Sequence, residues 1–339
     1  MPIQENRIAP MGQRLHFANT TAEYAAQDEL CENSKVHFVE IGSSRDEGPM
    51  SLFIIRAICN TLNDTIDAHE GEFIVICLED LSPSTRSNAR LLCGAHLILG
   101  EHCSVDKVQK ILKADRMSES SLIGIATSNQ SIQNMEHCWR ALERARSLQW
   151  IGPEADGEEA PSFDIEMAAH YVQPANGGIH VLIPGKLLLF PPPCQVAAGL
   201  DWADCPQQPG LPPSRHFSAA FLAGVLEEFE AAAVASLGRT ADSDASVFRA
   251  RGMDVHDLQW DPARPALLAA LDRLLAVSRA ASAPVAVFCG GEGVVATGGR
   301  LGCVGTLAAA WLAADCGFDG GAAAAWVRMG MPAPGGGAE

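Results

Sequence analysis

Two short apolar runs, one in each half of the 339-residue chain, constrain the fold more than any other feature. They read EFIVICLED at residues 72–80 and APVAVFC at residues 283–289. Each run is short and rich in apolar residues, which is typical of a buried strand. A loop and then a helical pattern follow each of them. The sequence therefore predicts an α/β fold with two tandem domains, each a central sheet flanked by helices.

The predicted domains cover residues 1–170 and 178–339. Near the start of the second domain, the segment HVLIPGKLLLF at residues 180–190 predicts two strands separated by Pro184 and Gly185. Residues 191–214 follow it and are rich in proline, which is incompatible with a regular helix. We expect this Pro-rich loop to be a long, exposed connection within the second domain.

Charge and cysteine content limit the class of protein. The formal net charge of −17 disfavours nonspecific contact with nucleic acid or anionic membranes, which require a basic surface. No apolar run approaches the roughly eighteen residues of a membrane span, and no leader-like segment is recognised at the start. Eleven irregularly spaced cysteines predict reduced, mostly buried thiols. These features predict a protein of the cytoplasm, the nucleus or both.

Cys289 is the last residue of the second apolar run, and a glycine-rich segment follows it. The pattern GCVGTLAAAWLAA then predicts the start of a helix. A thiolate held by backbone N–H groups at a helix N-terminus is the arrangement that a cysteine-dependent phosphatase uses to attack phosphorus. Such a loop also needs an arginine six positions after the cysteine. Position 295 is Val295, so the motif is incomplete.

Several segments resemble, in the right order, the Cdc14-type dual-specificity protein phosphatases. They are RLHFA (14–18), GPMSLFIIRAICNTLN (48–63), IVICLEDLSPSTRSNARLLCGAHLI (74–98), FDIEMAAHY (163–171), HVLIPGKLLLF and GTLAAAWLAADCGFDGGAAAAWVRMGMP (305–332). The resemblance implies two phosphatase-like domains, the first of them noncatalytic. It also implies dephosphorylation of phosphoserine, phosphothreonine or phosphotyrosine in proteins, without a metal or cofactor. The acidic surface favours phosphoproteins with basic residues near the phosphosite.

The resemblance assigns roles to residues of the second domain. Cys289 is the candidate nucleophile, and Asp261 in LQWDPARP is the candidate general acid. A helix N-cap followed by Pro262 is an equally good interpretation of Asp261. The candidate phosphate-binding groups lie in the glycine-rich segment: Gly290, Gly291, Gly293 and Arg300.

The signature loop can be aligned from either end, and the two alignments disagree. Counting from the strand places the nucleophile at Cys289 and the arginine at Val295. Counting back from the GTL sequence places the nucleophile at Thr297 and the arginine at Cys303, so an insertion of eight residues is needed to reconcile them. Neither alignment completes the motif, and Glu292 adds a carboxylate where phosphate would bind. We therefore expect weak or absent activity, the alternative being a pseudophosphatase that binds phosphoproteins or acts as a scaffold.

Two other interpretations have weaker support. GEGVVA at residues 291–296 fits a dinucleotide-binding fingerprint, but no second strand ending in an acidic residue follows at the required distance. Cys93, His96, His102 and Cys103 can bind metals, but their spacing matches no zinc motif, and we interpret them as ordinary residues.

Overall fold

A computed structural model describes residues 8–11, 14–41, 50–114, 135–151, 165–206, 213–238, 241–258, 264–289 and 302–331. The chain divides into two compact units, Met1–Leu148 and Gln149–Glu339. Each unit contains its own sheet flanked by helices, so the predicted α/β fold is confirmed. The predicted domain boundary between residues 170 and 178 stays a prediction.

The first unit is built on a four-stranded sheet with the order β1-β2-β4-β3. Strand β4 lies parallel to β2 and β3, and β1 is antiparallel to β2. The strands are β1 (Ile8–Pro10), β2 (Leu15–Ala18), β3 (Val36–Ile41) and β4 (Phe73–Leu78). The helices are α1 (Ala22–Ala25), α2 (Glu29–Asn33), α3 (Leu52–Ala68), α4 (Pro83–Leu99), α5 (Val105–Ala114) and α6 (Met135–Ser147). The apolar run predicted as a strand is β4, which is buried almost throughout.

The second unit contains a five-stranded sheet with the order β10-β9-β11-β6-β5, and a separate two-stranded sheet formed by β7 and β8. All neighbours in the larger sheet are parallel except β5, which is antiparallel to β6. The strands are β5 (His180–Ile183), β6 (Leu187–Leu189), β7 (Trp202–Asp204), β8 (Arg215–Phe217), β9 (Ala233–Ser236), β10 (Asp254–Asp257) and β11 (Val285–Phe288). The helices are α7 (Ile165–Tyr171), α8 (Ala219–Glu228), α9 (Asp242–Ala250), α10 (Arg264–Ala280), α11 (Cys303–Asp315) and α12 (Gly320–Gly330).

The predicted strand pair around Pro184 and Gly185 is β5 and β6. Gly185 has a φ of +66°, a left-handed conformation that glycine adopts without strain. The Lys186 N–H donates to the Ile183 carbonyl oxygen at 2.9 Å and closes the turn. This hairpin places β6 beside β11, at the centre of the sheet.

The Pro-rich loop contains more structure than predicted. Strands β7 and β8 pair across it, and Arg215 Nε donates to Asp204 Oδ1 at 2.9 Å. The Arg215 guanidinium also lies 4.9 Å from the centre of the Trp202 ring. Strand β7 is exposed, as expected for this segment, while residues 207–212 lie outside the described residues.

The core of the second unit fixes the last two helices against the sheet. Trp311 and Trp326 are fully buried. Trp326 Nε1 donates to the Leu182 carbonyl oxygen at 2.7 Å, which ties α12 to β5. Helix α11 packs against α12, so the N-terminus of α11 is held in place by the core. Among the described helices, none combines the length and apolar character that crossing a membrane requires.

Candidate functional site

Cys289 follows the last residue of the central strand β11. Neighbouring parallel strands end at the same edge: the Leu237 N–H, just after β9, donates to the Phe288 carbonyl oxygen at 2.9 Å. Ser236, the last residue of β9, is fully buried, and its Oγ accepts from the Gly238 N–H at 3.1 Å. Open α/β sheets bind ligands outside the carboxyl ends of their strands. Cys289 therefore lies at the edge of the sheet where a site is expected.

Helix α11 begins close to the Cys289 thiol. Its N-cap residue is Gly302, which has no side chain with which to cap the helix. The Thr306 N–H donates to the Gly302 carbonyl oxygen at 2.9 Å, so the first turn is formed. The thiol of Cys303, the first helical residue, contacts the Cys289 thiol at a sulfur–sulfur distance of 3.0 Å. The two ends of the glycine-rich segment therefore meet at a pair of cysteines.

This contact was not predicted. In the two conflicting alignments of the motif, Cys289 stands at the nucleophile position of one and Cys303 at the arginine position of the other. A strand and the helix that follows it in an α/β unit bring the carboxyl end of one near the amino end of the other. The sequence signal was thus a cysteine at each end of the same strand–loop–helix connection.

The environment of Cys289 disfavours its ionised form. The side chain is 8% exposed, under the surface of the unit. Burial raises the pKa of Cys289 to about 12, and the Cys303 thiol contributes in the same direction. A nucleophilic cysteine needs the opposite shift, because the thiolate is the reactive species. In this arrangement Cys289 is a neutral thiol at pH 7.

The other predicted site residues cannot be placed. Asp261, Gly290, Gly291, Gly293 and Arg300 all lie outside the described residues. Their assigned roles, and the role of Cys289 as nucleophile, stay predictions.

The corresponding connection in the first unit, between β4 and α4, is closed by its own side chains. Asp80 Oδ1 accepts from the Ser82 N–H at 2.7 Å and from Thr85 Oγ1 at 2.9 Å. Ser82 Oγ in turn accepts from the Thr85 N–H at 3.2 Å and caps α4. Hydrogen bonds from Ser82 and Thr85 lower the pKa of Asp80, which is partly exposed. Asp80 thus places a carboxylate beside the start of α4, where its negative charge disfavours phosphate binding.

One group of side chains in the described ranges brings metal-ligand atoms within 4.8 Å of one another: His37, His69 and Glu72. His69 Nδ1 lies 3.2 Å from Glu72 Oε2, and the rings of His37 and His69 stack at 4.0 Å. Arg14 donates to the backbone carbonyls of His69 and Glu72, which brings a positive charge to this turn. These interactions account for the group without an ion.

No family model matches the chain. A tyrosine-protein phosphatase, cdc-14 of Caenorhabditis elegans, is 24% identical over 314 residues, which cover 88% of this chain. The chain spans only 39% of the length of that relative. A solved structure described as Tk-PTP in the active form covers 45% of this chain and 84% of its own, with 18% identity and a TM-score of 0.29, too low to define a shared fold. Over most of its length, the chain is therefore similar in sequence to a Cdc14 tyrosine-protein phosphatase.

Proposed function

We propose that this chain is a Cdc14-like protein phosphatase by descent, in which Cys289 is the nucleophile and turnover is weak or absent. The similarity to a Cdc14 phosphatase over 88% of the chain supports the family. The observation that carries the proposal is the position of Cys289, directly after the central strand and in contact with the first residue of the next helix.

The reaction would start with attack of the Cys289 thiolate on phosphorus. A phosphocysteine forms, and the substrate oxygen leaves with a proton from an acid, for which Asp261 is the candidate. Water then hydrolyses the phosphocysteine. Because burial raises the pKa of Cys289, only a small fraction of this thiol is ionised at pH 7, and the first step is slow.

The missing arginine weakens the same step. A guanidinium matches the three equatorial oxygens of the transferring phosphoryl group and forms paired, charge-assisted hydrogen bonds. Val295 stands at its position in one alignment and Cys303 in the other. Loss of one preorganised donor costs on the order of 3 kcal/mol, or about a hundredfold in rate, and loss of a full charge costs more.

The proposed substrates are proteins that carry phosphoserine, phosphothreonine or phosphotyrosine. A net charge of −17 favours phosphosites with nearby basic residues and disfavours nucleic acid. The proposed location is the cytoplasm, the nucleus or both, where the thiols remain reduced.

A second candidate function is phosphoprotein binding without turnover. Gly302, the N-cap residue of α11, has no side chain that caps the helix, and N–H groups at a helix N-terminus can bind an anion. Binding of this kind needs neither a thiolate nor an acid. It would survive the defects that limit catalysis.

Phosphate release from a peptide panel separates the two functions. The panel contains phosphoserine, phosphothreonine and phosphotyrosine, each with basic or acidic flanks, and the proteins are wild type, Cys289→Ser and the control Cys194→Ser. We expect weak release that Cys289→Ser abolishes. Cys194→Ser, at a partly exposed cysteine to which no role is assigned, should leave it unchanged. Release that persists in Cys289→Ser would exclude Cys289 as the nucleophile.

Fluorescence anisotropy with the same peptides measures binding. Preference for a phosphopeptide over its unphosphorylated form, with no release, favours the second candidate. If the protein neither binds the phosphopeptides nor releases phosphate from them, both candidate functions are contradicted.

A further inference from the structure

The contact between Cys289 and Cys303 places two thiols within reach of covalent bond formation. Their sulfur atoms lie 3.0 Å apart, and a disulfide bond is about 2.05 Å long. A movement of roughly 1 Å would therefore close the bond, within the range of a small side-chain rotation. All eleven cysteines are described, and none is in a disulfide.

The backbone holds the two cysteines together. The residue before Cys289 is paired in the sheet, where the Phe288 carbonyl oxygen accepts from the Leu237 N–H at 2.9 Å. The residue before Cys303 is held by the first turn of α11, in which the Gly302 carbonyl oxygen accepts from Thr306. Because neither end has to become ordered, the entropic cost of joining the two side chains is small.

The two thiols differ in access. Cys289 is 8% exposed, while Cys303 is only partly buried at the start of its helix. A small oxidant therefore reaches Cys303 first, and Cys289 lies next to it as the second thiol. A more exposed cysteine beside a buried resolving cysteine is typical of a site of reversible oxidation.

We propose that Cys289 and Cys303 form a reversible intramolecular disulfide when the protein meets a peroxide. The Cys303 sulfur attacks one peroxide oxygen, the O–O bond breaks, and a sulfenic acid and water form. Cys289 then attacks the sulfenic sulfur, the S–O bond breaks, and the oxygen leaves as a second water. Two thiols are thus oxidised by two electrons, and the peroxide is reduced to two waters. A dithiol reductant reverses the step by thiol–disulfide exchange.

The disulfide would protect the thiols of the site from further oxidation and would also inactivate the site. It would prevent the sulfenic acid of Cys303 from proceeding to sulfinic or sulfonic acid, which thiols do not reverse. It would also block any attack on phosphorus, and this consequence rests on the proposed phosphatase function. The formation of the disulfide itself does not depend on that function.

Mass spectrometry of the full chain tests the bond directly. The reduced protein is treated with a small excess of hydrogen peroxide, capped with N-ethylmaleimide and digested with trypsin. Cleavage after Arg279, Arg300 and Arg328 separates Cys289, in peptide 280–300, from Cys303, in peptide 301–328. We expect these peptides to be joined in most molecules and to separate after treatment with dithiothreitol.

Peptide 301–328 also contains Cys316, so the partner must be assigned. In Cys316→Ser the joined peptides should remain, and in Cys303→Ser they should disappear. Cys194→Ser, at another partly exposed cysteine, should not change their yield. Circular dichroism identifies any variant that fails to fold, and the assignment by fragmentation of the wild-type peptides needs no variant.

Two results would overturn the proposal. The first is the absence of joined peptides after peroxide treatment, with Cys289 and Cys303 both modified by N-ethylmaleimide or with either one oxidised to sulfinic acid. The second is a bond from Cys289 to a cysteine other than Cys303. Because this measurement records no phosphate release, it stands whether or not the protein is an active phosphatase.

Discussion

His180, at the start of β5, is a titratable side chain to which the sequence analysis assigned no role. Its Nδ1–H donates to the Gly330 carbonyl oxygen at 3.1 Å and so joins β5 to the end of α12. The side chain keeps some accessible surface but is densely surrounded by protein atoms. This burial lowers the pKa of His180 to about 4, and the bond to Gly330 only partly opposes the shift. His180 is therefore neutral in the folded protein near neutral pH.

The stability of the protein should fall as the pH is lowered through this range. Between pH 6.5 and about 4 the unfolded chain protonates His180 while the folded protein does not, so the stabilisation present above pH 6.5 is lost. We expect a loss of about 1 to 3 kcal/mol from this residue, measured by urea unfolding at several pH values. In His180→Gln, whose amide can still donate, the dependence should be shallower.

The matched control is His216→Gln, at an exposed histidine in β8. Its pH dependence should follow the wild type. If the free energy of unfolding depends on pH in the same way for wild type and His180→Gln, then His180 does not titrate differently in the folded and unfolded states.

At the scale of elements, α4 and α6 pack closely at Gly94. A methyl group at this position would lie 2.2 Å from Trp139 Nε1, which donates to the Leu91 carbonyl oxygen at 3.3 Å. Trp139 is buried and has little room to move. The close approach of the two helices therefore depends on the absence of a side chain at Gly94.

Gly94→Ala should destabilise the protein by about 1 to 3 kcal/mol, because an overpacked core must shift. Gly224→Ala is the control: Gly224 is also inside a helix, α8, but its nearest neighbour is the Arg251 guanidinium at 3.5 Å. That change should be neutral or stabilise by up to about 1 kcal/mol, since alanine favours helix. Urea midpoints compare the two variants, and equal midpoints would contradict the packing argument.

At the scale of the whole molecule, the fold could be predicted because its central strands have clear local signals. Strands β4 and β11 coincide with the two apolar runs, and Pro184–Gly185 marks the turn between β5 and β6. Strands β7 and β8 were missed, since a proline-rich segment has no apolar alternation to indicate pairing. Local patterns therefore indicated the buried elements better than the exposed ones.

The candidate site could be predicted only in part, for a related reason. Cys289 was placed at the end of its strand from local pattern alone. Its contact with Cys303 depends on the distance between the end of β11 and the start of α11. The spacing of apolar residues in the sequence does not predict that distance. The raised pKa of Cys289 follows from burial and from that same contact, so the sequence could not indicate it.

The central claim is that Cys289 is the nucleophile of a phosphatase site that has lost most of its activity. The most direct test is the rate of hydrolysis of an aryl phosphate from pH 6 to 10, measured for wild type and Cys289→Ser under reducing conditions. Because the pKa of Cys289 is raised to about 12, we predict little turnover at pH 7. The difference between wild type and Cys289→Ser should increase about tenfold per pH unit, as the thiolate fraction does. Robust turnover near pH 7 that Cys289→Ser abolishes would contradict the account.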